Sequence, residues 1–372
     1  MSYLHLIIFI LLFLSLYSYI FYPFFLFLLS LFRKRTTIKA PYLPSVSFLI
    51  SAHNEESGIR NKIINSLSLD YPEDLLQIII VSDFSSDKTD HIIEEYPRIK
   101  LLRLPERRGK EYALKYSMKF ISGSIIVFSD VGTTLEKNGL RLLVSNFVDQ
   151  SVGVVSSTDK VIQNVGKVAS EGLYVRYEMF LRKLESEVNG LIGVSGSLFA
   201  ARKDLCTVWA DDLASDFNIV LNAIRPGYRT IIDTDVIGYY HSVKNSRLEF
   251  PRKVRTVTAG ITVFFRTLSL LNIFKYKLYS WQIFSHKLMR WMVPFFLISS
   301  MFVITFGYIS GDYLSKILLF FQISFFITGV IGFSNFRFSN FFLVRIPFYF
   351  VEVNSAILVA WANYAAGKRI TL

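Results

Sequence analysis

The pattern of apolar and polar positions divides the chain into three zones. From Leu6 to Phe32 no charged residue interrupts the apolar run, and Arg33-Lys34-Arg35 comes directly after it. That run exceeds the ~20 apolar residues a spanning helix needs. A secretory signal has a shorter core with its positive charge in front, so residues 1–35 read as a membrane anchor. Cations behind the run place the N-terminus outside and the central part of the chain in the cytoplasm. Pro23 marks a kink or a division into two shorter passes, and the single pass is the better-supported reading.

Residues 40–250 read differently. Short β-rich runs at Ser45 to Ser51, Gln77 to Ser82, Lys100 to Leu104 and Ser124 to Ser129 predict buried strands. Helix-length stretches lie between them, around Glu55–Leu69, Asp87–Glu95 and Gly109–Phe120. Such alternation predicts an α/β domain with a mostly parallel sheet covered on both faces. Beyond Phe250, Thr256 to Lys275 mixes apolar residues with Arg266 and predicts a helix lying along the membrane interface, within an interfacial region 251–286. Residues 287–372 then predict two or three spans. Trp291 to Gly311 and Ile317 to Phe336 are uncharged, whereas Phe341 to Ala366 carries Arg345 and Glu352, which lipid tolerates only when paired or facing protein. With four spans in all the C-terminus lies outside, against which Lys368-Arg369 weighs mildly.

Composition sharpens this picture. The chain of 372 residues is 52% apolar and 16% aromatic, with 35 Phe, which points to lipid contact. Its formal charge of +12 has three possible sources: nucleic acid, anionic lipid or an anionic substrate such as a nucleoside diphosphate. No Cys/His array or nucleic-acid module appears, so nucleic acid is not an expected partner. The one cysteine, Cys206, excludes an internal disulfide framework, fits a reducing compartment and reads as a small buried hydrophobe. His53, His91, His241 and His286 show no metal-ligand spacing, and no Ser-His-Asp arrangement can be argued.

In an open parallel sheet, ligands bind beyond the carboxyl ends of the strands. The polar residues there are Ala52-His53-Asn54-Glu55-Glu56, Asp83 with Asp87, Asp130 and, later, Asp216. Acids at strand ends suit hydrogen bonding to a ribose or base, or holding a hard divalent cation on phosphate oxygens. A single such Asp is an ordinary turn former, but several in register are harder to dismiss. Gly109-Lys110 opens a helix whose free N–H groups favour phosphate. The first glycine of a P-loop is missing upstream, so that motif is rejected.

In this order and spacing the motifs resemble the family 2 glycosyltransferases, in the membrane-bound branch of cellulose, hyaluronan and related polysaccharide synthases. The resemblance runs from about Val46 to Gly260. VSFLISAHNEE matches the opening strand and its Asn-Glu-Glu turn. SLDYP and IIIVSDFSSDKT match the second strand region, RRGKEYALK the Gly-Lys helix start, and VFSDVGTTL the place of the metal-binding DxD. GLIGVSGSLFAARKDL resembles the segment lining the acceptor site, and FPRKVRT stands in place of QxxRW. The resemblance implies a type A glycosyltransferase fold, Rossmann-like, flanked by transmembrane helices.

It also implies roles. Glu55 and Asp83 would contact the nucleoside, Lys110 the nucleotide pocket and Arg252 the nucleotide-sugar. Asp130 would hold Mg²⁺ or Mn²⁺, with Gly196 allowing close approach of the acceptor. Asp216 would be the catalytic base and Arg255 the stabiliser of the leaving diphosphate. Three departures stand out: Gly132 replaces the second acid of DxD, Ser215 replaces the acid before Asp216, and Thr256 replaces the Trp of QxxRW. Asp211 and Asp212 are rivals for the base, although helix capping explains that pair.

The expected function is inverting transfer from a nucleoside-diphosphate sugar, a UDP-sugar by preference, to a membrane-associated hydroxyl in polysaccharide or glycolipid synthesis at the plasma membrane. A single-transfer enzyme acting on a lipid and a processive synthase fit nearly equally. The rival of another class is a catalytically silent nucleotide-binding scaffold of a glycan assembly complex, supported by Gly132 and Ser215.

Overall fold

A computed structural model of the chain describes residues 3–162, 169–241, 249–334 and 342–368. Its N-terminal membrane helix is one continuous rod of 30 residues, Tyr3–Phe32. It consists of α1 (Tyr3–Leu16), a π-wound turn (Tyr17–Phe21) and α2 (Tyr22–Phe32). Pro23 therefore neither ends the helix nor divides it. Proline has no N–H to give the carbonyl one turn back, which is Tyr19. Tyr177 fills that vacancy, donating its hydroxyl to Tyr19 O at 3.0 Å.

The domain after this rod is built on eight strands: β1 (Val46–Ala52), β2 (Leu76–Ser82), β3 (Ile99–Arg103), β4 (Ile125–Asp130), β5 (Thr133–Leu135), β6 (Val152–Ile162), β7 (Leu198–Arg202) and β8 (Arg229–His241). They form one sheet in the order β3-β2-β1-β4-β7-β6-β8-β5. The first four neighbours run parallel, β6 pairs β8 in parallel, and β7 and β5 run against their partners. The four strands predicted from the apolar runs are β1 to β4, each displaced by one residue at most. Their continuous hydrophobicity has its cause in the two-sided cover. Phe48, Ile50, Ile78 and Ile80 pack into the core on one face, while Leu49, Ile79 and Val81 pack into the other.

Helices α3 (Ile59–Leu67), α4 (Thr89–Glu94), α5 (Lys110–Ser117), α6 (Gly139–Ser145), α7 (Ala169–Val188) and α8 (Ser215–Ile224) complete the domain. α7 packs against α2 and so ties the domain to the first membrane helix. The helix expected at the membrane interface begins earlier than the pattern predicted: α9 spans Glu249–Arg266. The segment to Lys275 is not its continuation, because the Asn272 side chain accepts from the Phe274 and Lys275 amides and starts a new short helix, α10 (Ile273–Tyr276).

After α11 (Leu278–Gln282) come α12 (Met289–Ile309), α13 (Tyr313–Ser334) and α14 (Phe342–Ala365). With the N-terminal rod, four helices are long and apolar enough to cross a membrane. The last of them pairs one of its two charges, while Arg345 Nε is buried without a partner among the described residues. Glu352 of α14 accepts from Lys253 of α9 at 2.6 Å. The end of the span expected to reach Phe336, Arg369, and the His241 side chain lie outside the described residues.

Candidate active site

The carboxyl ends of β1, β2 and β4 meet at one edge of the sheet. Asp83, directly after β2, accepts from the Arg108 and Gly109 amides, one on each carboxylate oxygen and both at 2.8 Å. Gly109 has φ +88°, a conformation that L side chains avoid, so the turn entering α5 requires glycine there. Lys110 is the first residue of α5 and extends across to Asp130 at the end of β4. Its Nζ lies 2.6 Å from Asp130 Oδ1 and 3.4 Å from the Gly196 carbonyl. Desolvation pulls the ammonium pKa down, but the charge and hydrogen bond of Asp130, together with the charges of Glu111 and Asp216, raise it overall.

The Asn-Glu-Glu turn is laced to the loop after β2. Asn54 takes φ +53°, and its Oδ1 accepts from the Ser86 amide at 2.8 Å. Glu55 N donates to Thr89 Oγ1 at 2.7 Å, Glu56 N to Asp87 Oδ2 at 3.0 Å, and Glu56 Oε2 accepts from Lys88 N at 3.1 Å. The half-buried Glu55 carboxylate is not part of this lacing. Burial raises its pKa, and the nearby charges of Asp130 and Asp87 add to the shift.

Across the cleft, Asp216 stands in the first turn of α8. A side chain at Gly196 would put Cβ 3.1 Å from Asp216 Oδ2, so glycine there leaves the carboxylate its approach path. Asp130, Lys110, Gly196 and Asp216 are thus brought together from four separate parts of the chain. The rivals for Asp216 are engaged elsewhere: Asp211 pairs with Lys115 at 3.2 Å and Asp212 with Arg266 at 2.6 Å. Arg252 and Arg255 are exposed on the first turns of α9, and no hydrogen bond or ion pair among the described residues ties either to this group.

Three participants escaped sequence reasoning. Glu111 is next to Lys110 in α5, and its Oε1 accepts from Ser215 N at 3.1 Å and Ser215 Oγ at 3.0 Å. Its Oε2 is buried without a partner among the described residues. Burial lifts this carboxyl to about 7, with Lys110 opposing and Asp216 reinforcing the shift. A carboxylate therefore does stand beside Asp216, delivered by α5 rather than by position 215.

Lys62 of α3 is fully buried beneath the Asp130 turn, donating to Ser129 Oγ at 2.6 Å and Thr133 O at 2.5 Å. Burial lowers its pKa to about 7 against the pull of Asp130. Asp159 of β6 accepts from the Ser195 and Ser197 hydroxyls, at 2.6 and 3.0 Å, and so fixes the loop that carries Gly196. Periodicity gives no warning of a lysine on a buried helix face, and nothing local links residue 111 to 215.

No group of three or more His, Cys, Asp or Glu side chains able to hold a metal occurs among the described residues. The arrangement does fit a cation that takes one carboxylate and completes its shell with water and phosphate oxygens. Asp130 supplies the carboxylate, and the space beside Gly132 is open, since a Cβ there would meet nothing within 4 Å.

Comparison with known proteins agrees with this architecture. Residues 47–206 match the model of Glycosyl transferase family 2. A probable glycosyltransferase, YdaM, of Bacillus subtilis is 30% identical over 201 residues, covering 50% of this chain and 48% of its own. A beta-monoglucosyldiacylglycerol synthase of Trichormus variabilis is 30% identical over 190 residues, 47% of this chain and 40% of that protein. The chain thus spans about half the length, or less, of these curated relatives. Among solved structures, the mannosyltransferase PcManGT of Pyrobaculum calidifontis, in complex with GDP-Man and Mn²⁺, superimposes with a TM-score of 0.76 at 19% identity, covering 98% of this chain and 99% of that one. That likeness, low in identity, extends the shared fold to the membrane helices. Residues 47–206, which match the Glycosyl transferase family 2 model, are carried here between long apolar helices.

Proposed function

We propose that the chain transfers a glycosyl residue, with inversion, from a nucleoside-diphosphate sugar to a hydroxyl acceptor at the membrane surface. The observation that carries this reading is the convergence of Lys110, Asp130, Gly196 and Asp216 at one cleft. In the reaction the acceptor oxygen bonds to the anomeric carbon as the bond from that carbon to the diphosphate breaks. The nucleoside diphosphate leaves, and Asp216 takes the hydroxyl proton.

Asp83 and Glu55 would hold the nucleoside. Lys110 and the amide end of α5 would meet the diphosphate, the ammonium leaving Asp130 as phosphate arrives. A divalent cation, Mg²⁺ or Mn²⁺, would be held by Asp130 and supplies charge neutralisation on the diphosphate. Arg252 and Arg255 belong to the donor and leaving-group side of the same reading. The run of cations after Phe32 supports a cytoplasmic domain. The beta-monoglucosyldiacylglycerol synthase relative supports a lipid acceptor, and GDP-Man in the PcManGT complex brings guanosine donors into consideration beside UDP-sugars.

The test is release of nucleoside diphosphate by the purified chain in nanodiscs, with a panel of UDP- and GDP-sugars, membrane lipid extract, and Mg²⁺, Mn²⁺ or EDTA. Sugar-selective release lost in Asp216→Asn is the expected result. Donor binding without turnover would establish the silent scaffold instead.

A further inference from the structure

Where the domain meets the membrane, charge accumulates that glycosyl transfer does not use. α7 carries Glu178, Arg182 and Glu185. Facing it, the π-wound segment Ile283–Leu288 and the first turn of α12 carry His286, Lys287 and Arg290. Arg290 is 7% exposed and gives Nη1 to Glu178 Oε1 at 2.5 Å. Its Nε and Nη2 are buried without a partner among the described residues, and so is Arg182 Nη1. Lys287 lies within electrostatic reach of both arginines, with Nζ 5.1 Å from the centre of the Phe217 ring.

Two carboxylates stand against these cations. Glu185 Oε1 is already shared by the Tyr22 hydroxyl at 2.6 Å and His286 Nδ1 at 2.7 Å. Burial disfavours ionisation of Glu178, but Arg290 and His286 hold its pKa well below the usual carboxylate range. Three cations thus face two carboxylates. The Tyr19 and Tyr177 rings, 5.2 and 5.9 Å from the Arg290 guanidinium, take up part of the surplus positive charge, and the donors still open lie where an unpaired charge costs several kcal/mol. Guanidinium forks with a neighbouring ammonium match the oxygens of a phosphate.

Position narrows the ligand further. Arg290 is the last charge before the uncharged run Trp291 to Gly311, which puts it at the depth of lipid phosphates. The cluster also adjoins the acceptor side of the cleft. A Cβ at Gly193 would lie 3.4 Å from Lys287 Nζ, and Phe217 is the residue after Asp216.

We propose that Arg182, Lys287 and Arg290 bind one phosphate group of a membrane lipid, beneath α8 and beside the Gly193 loop. Such a phosphate has two sources: a bilayer phospholipid held as a lasting ligand, or a phosphate-bearing lipid presented as acceptor. Only the second source rests on the proposed glycosyl transfer.

Native mass spectrometry of the full chain in detergent tests the proposal, with phosphatidylglycerol, a polyprenyl monophosphate and diacylglycerol as probes. Phosphate-bearing lipids should be retained and diacylglycerol lost. Lys287→Met and Arg182→Gln should each weaken retention at least about tenfold, with nucleotide binding in the same sample unchanged. Arg290 is left intact, since its removal would strand Glu178. Retained phosphatidylglycerol that gains the mass of one glycosyl residue on a glycerol hydroxyl when donor sugar is added identifies the acceptor. Retention of phosphatidylglycerol regardless of donor identifies a bilayer ligand. Diacylglycerol held as firmly as phosphatidylglycerol, or undiminished phosphate-lipid adducts in both variants, overturns the site. A wild-type chain that keeps its phosphate lipid but never releases nucleoside diphosphate would sink the proposed function and leave the site standing.

Discussion

The two sides of the cleft are finished to different degrees. On the donor side, Asp83 uses both oxygens on backbone amides, and Asn54, Glu56 and Asp87 close the loops after β1 and β2 on one another. Asp90 Oδ1 is the orphan there among the described residues. On the acceptor and membrane side, buried polar atoms stand open: Glu111 Oε2, Glu185 Oε2, Arg182 Nη1, and Arg290 Nε and Nη2. A buried polar group without a protein partner is costly, so such atoms mark places that water, an ion or a ligand completes. On the proposed function, the loops after β1 and β2 are pre-formed for the nucleotide, whereas the opposite side is left open for water or an acceptor to complete.

Substitutions can break or sharpen that contrast. The largest effect belongs to Asp216→Asn, which should cut turnover by roughly 10²–10⁴ while donor affinity stays put. Single-turnover kinetics alongside nucleotide titration separate the two; parallel loss of both would mean that the sides are not independent. Asp83→Ala strikes the finished side. Losing an acceptor that serves two amides should weaken nucleotide binding by roughly 10- to 100-fold, read by calorimetry. An unchanged affinity would remove Asp83 from the donor site.

Glu111→Gln probes the open side through pH. Burial holds this carboxyl up to about 7, so it is neutral on the acid side and ionised on the alkaline side. The charges facing it are Lys110, which favours its ionisation, and Asp216, which resists a second negative charge nearby. Ionisation of Glu111 adds a negative charge beside Lys110, on the side where the diphosphate would bind, so wild-type turnover should fall as pH rises through 7. The glutamine variant should lose that alkaline limb, a difference of about tenfold one unit above the pKa. Superimposable profiles would give Glu111 a purely structural role.

The smallest effect concerns Lys62. Its folded pKa is lowered to about 7 from 10.5, so the unfolded chain binds more protons between those values and stability rises with pH across that window. Lys62→Met should flatten that rise. Thermal melts from pH 7 to 10 check it, with an expected change of only a few degrees, on the order of 5 °C. A persisting slope would assign it to another group.

The apolar runs locate β1 to β4 within a residue because strands buried on both faces need unbroken hydrophobicity, a local property. The acids at their ends are legible for the same reason: strand ends point one way in a parallel sheet. The extent of α9 is not legible, because amphipathic spacing does not mark its start and the capping Asn272 sits inside the same apolar pattern. Residues 111 and 215 lie far apart in sequence, and their meeting depends on how α5 and α8 pack.

The sequence by itself thus determined the membrane rods, the parallel core and the order of the strand-end acids, since each depends on hydrophobic period or on motifs contiguous in the chain. Only the tertiary structure decided that Lys110 closes on Asp130, that Glu111 stands beside Asp216, that Glu352 is neutralised by Lys253, and that Arg182 of α7 comes within electrostatic reach of Lys287 and Arg290. Each of these pairs side chains from distant segments, and the energy of such a contact depends on burial and distance, neither of which is written in local sequence.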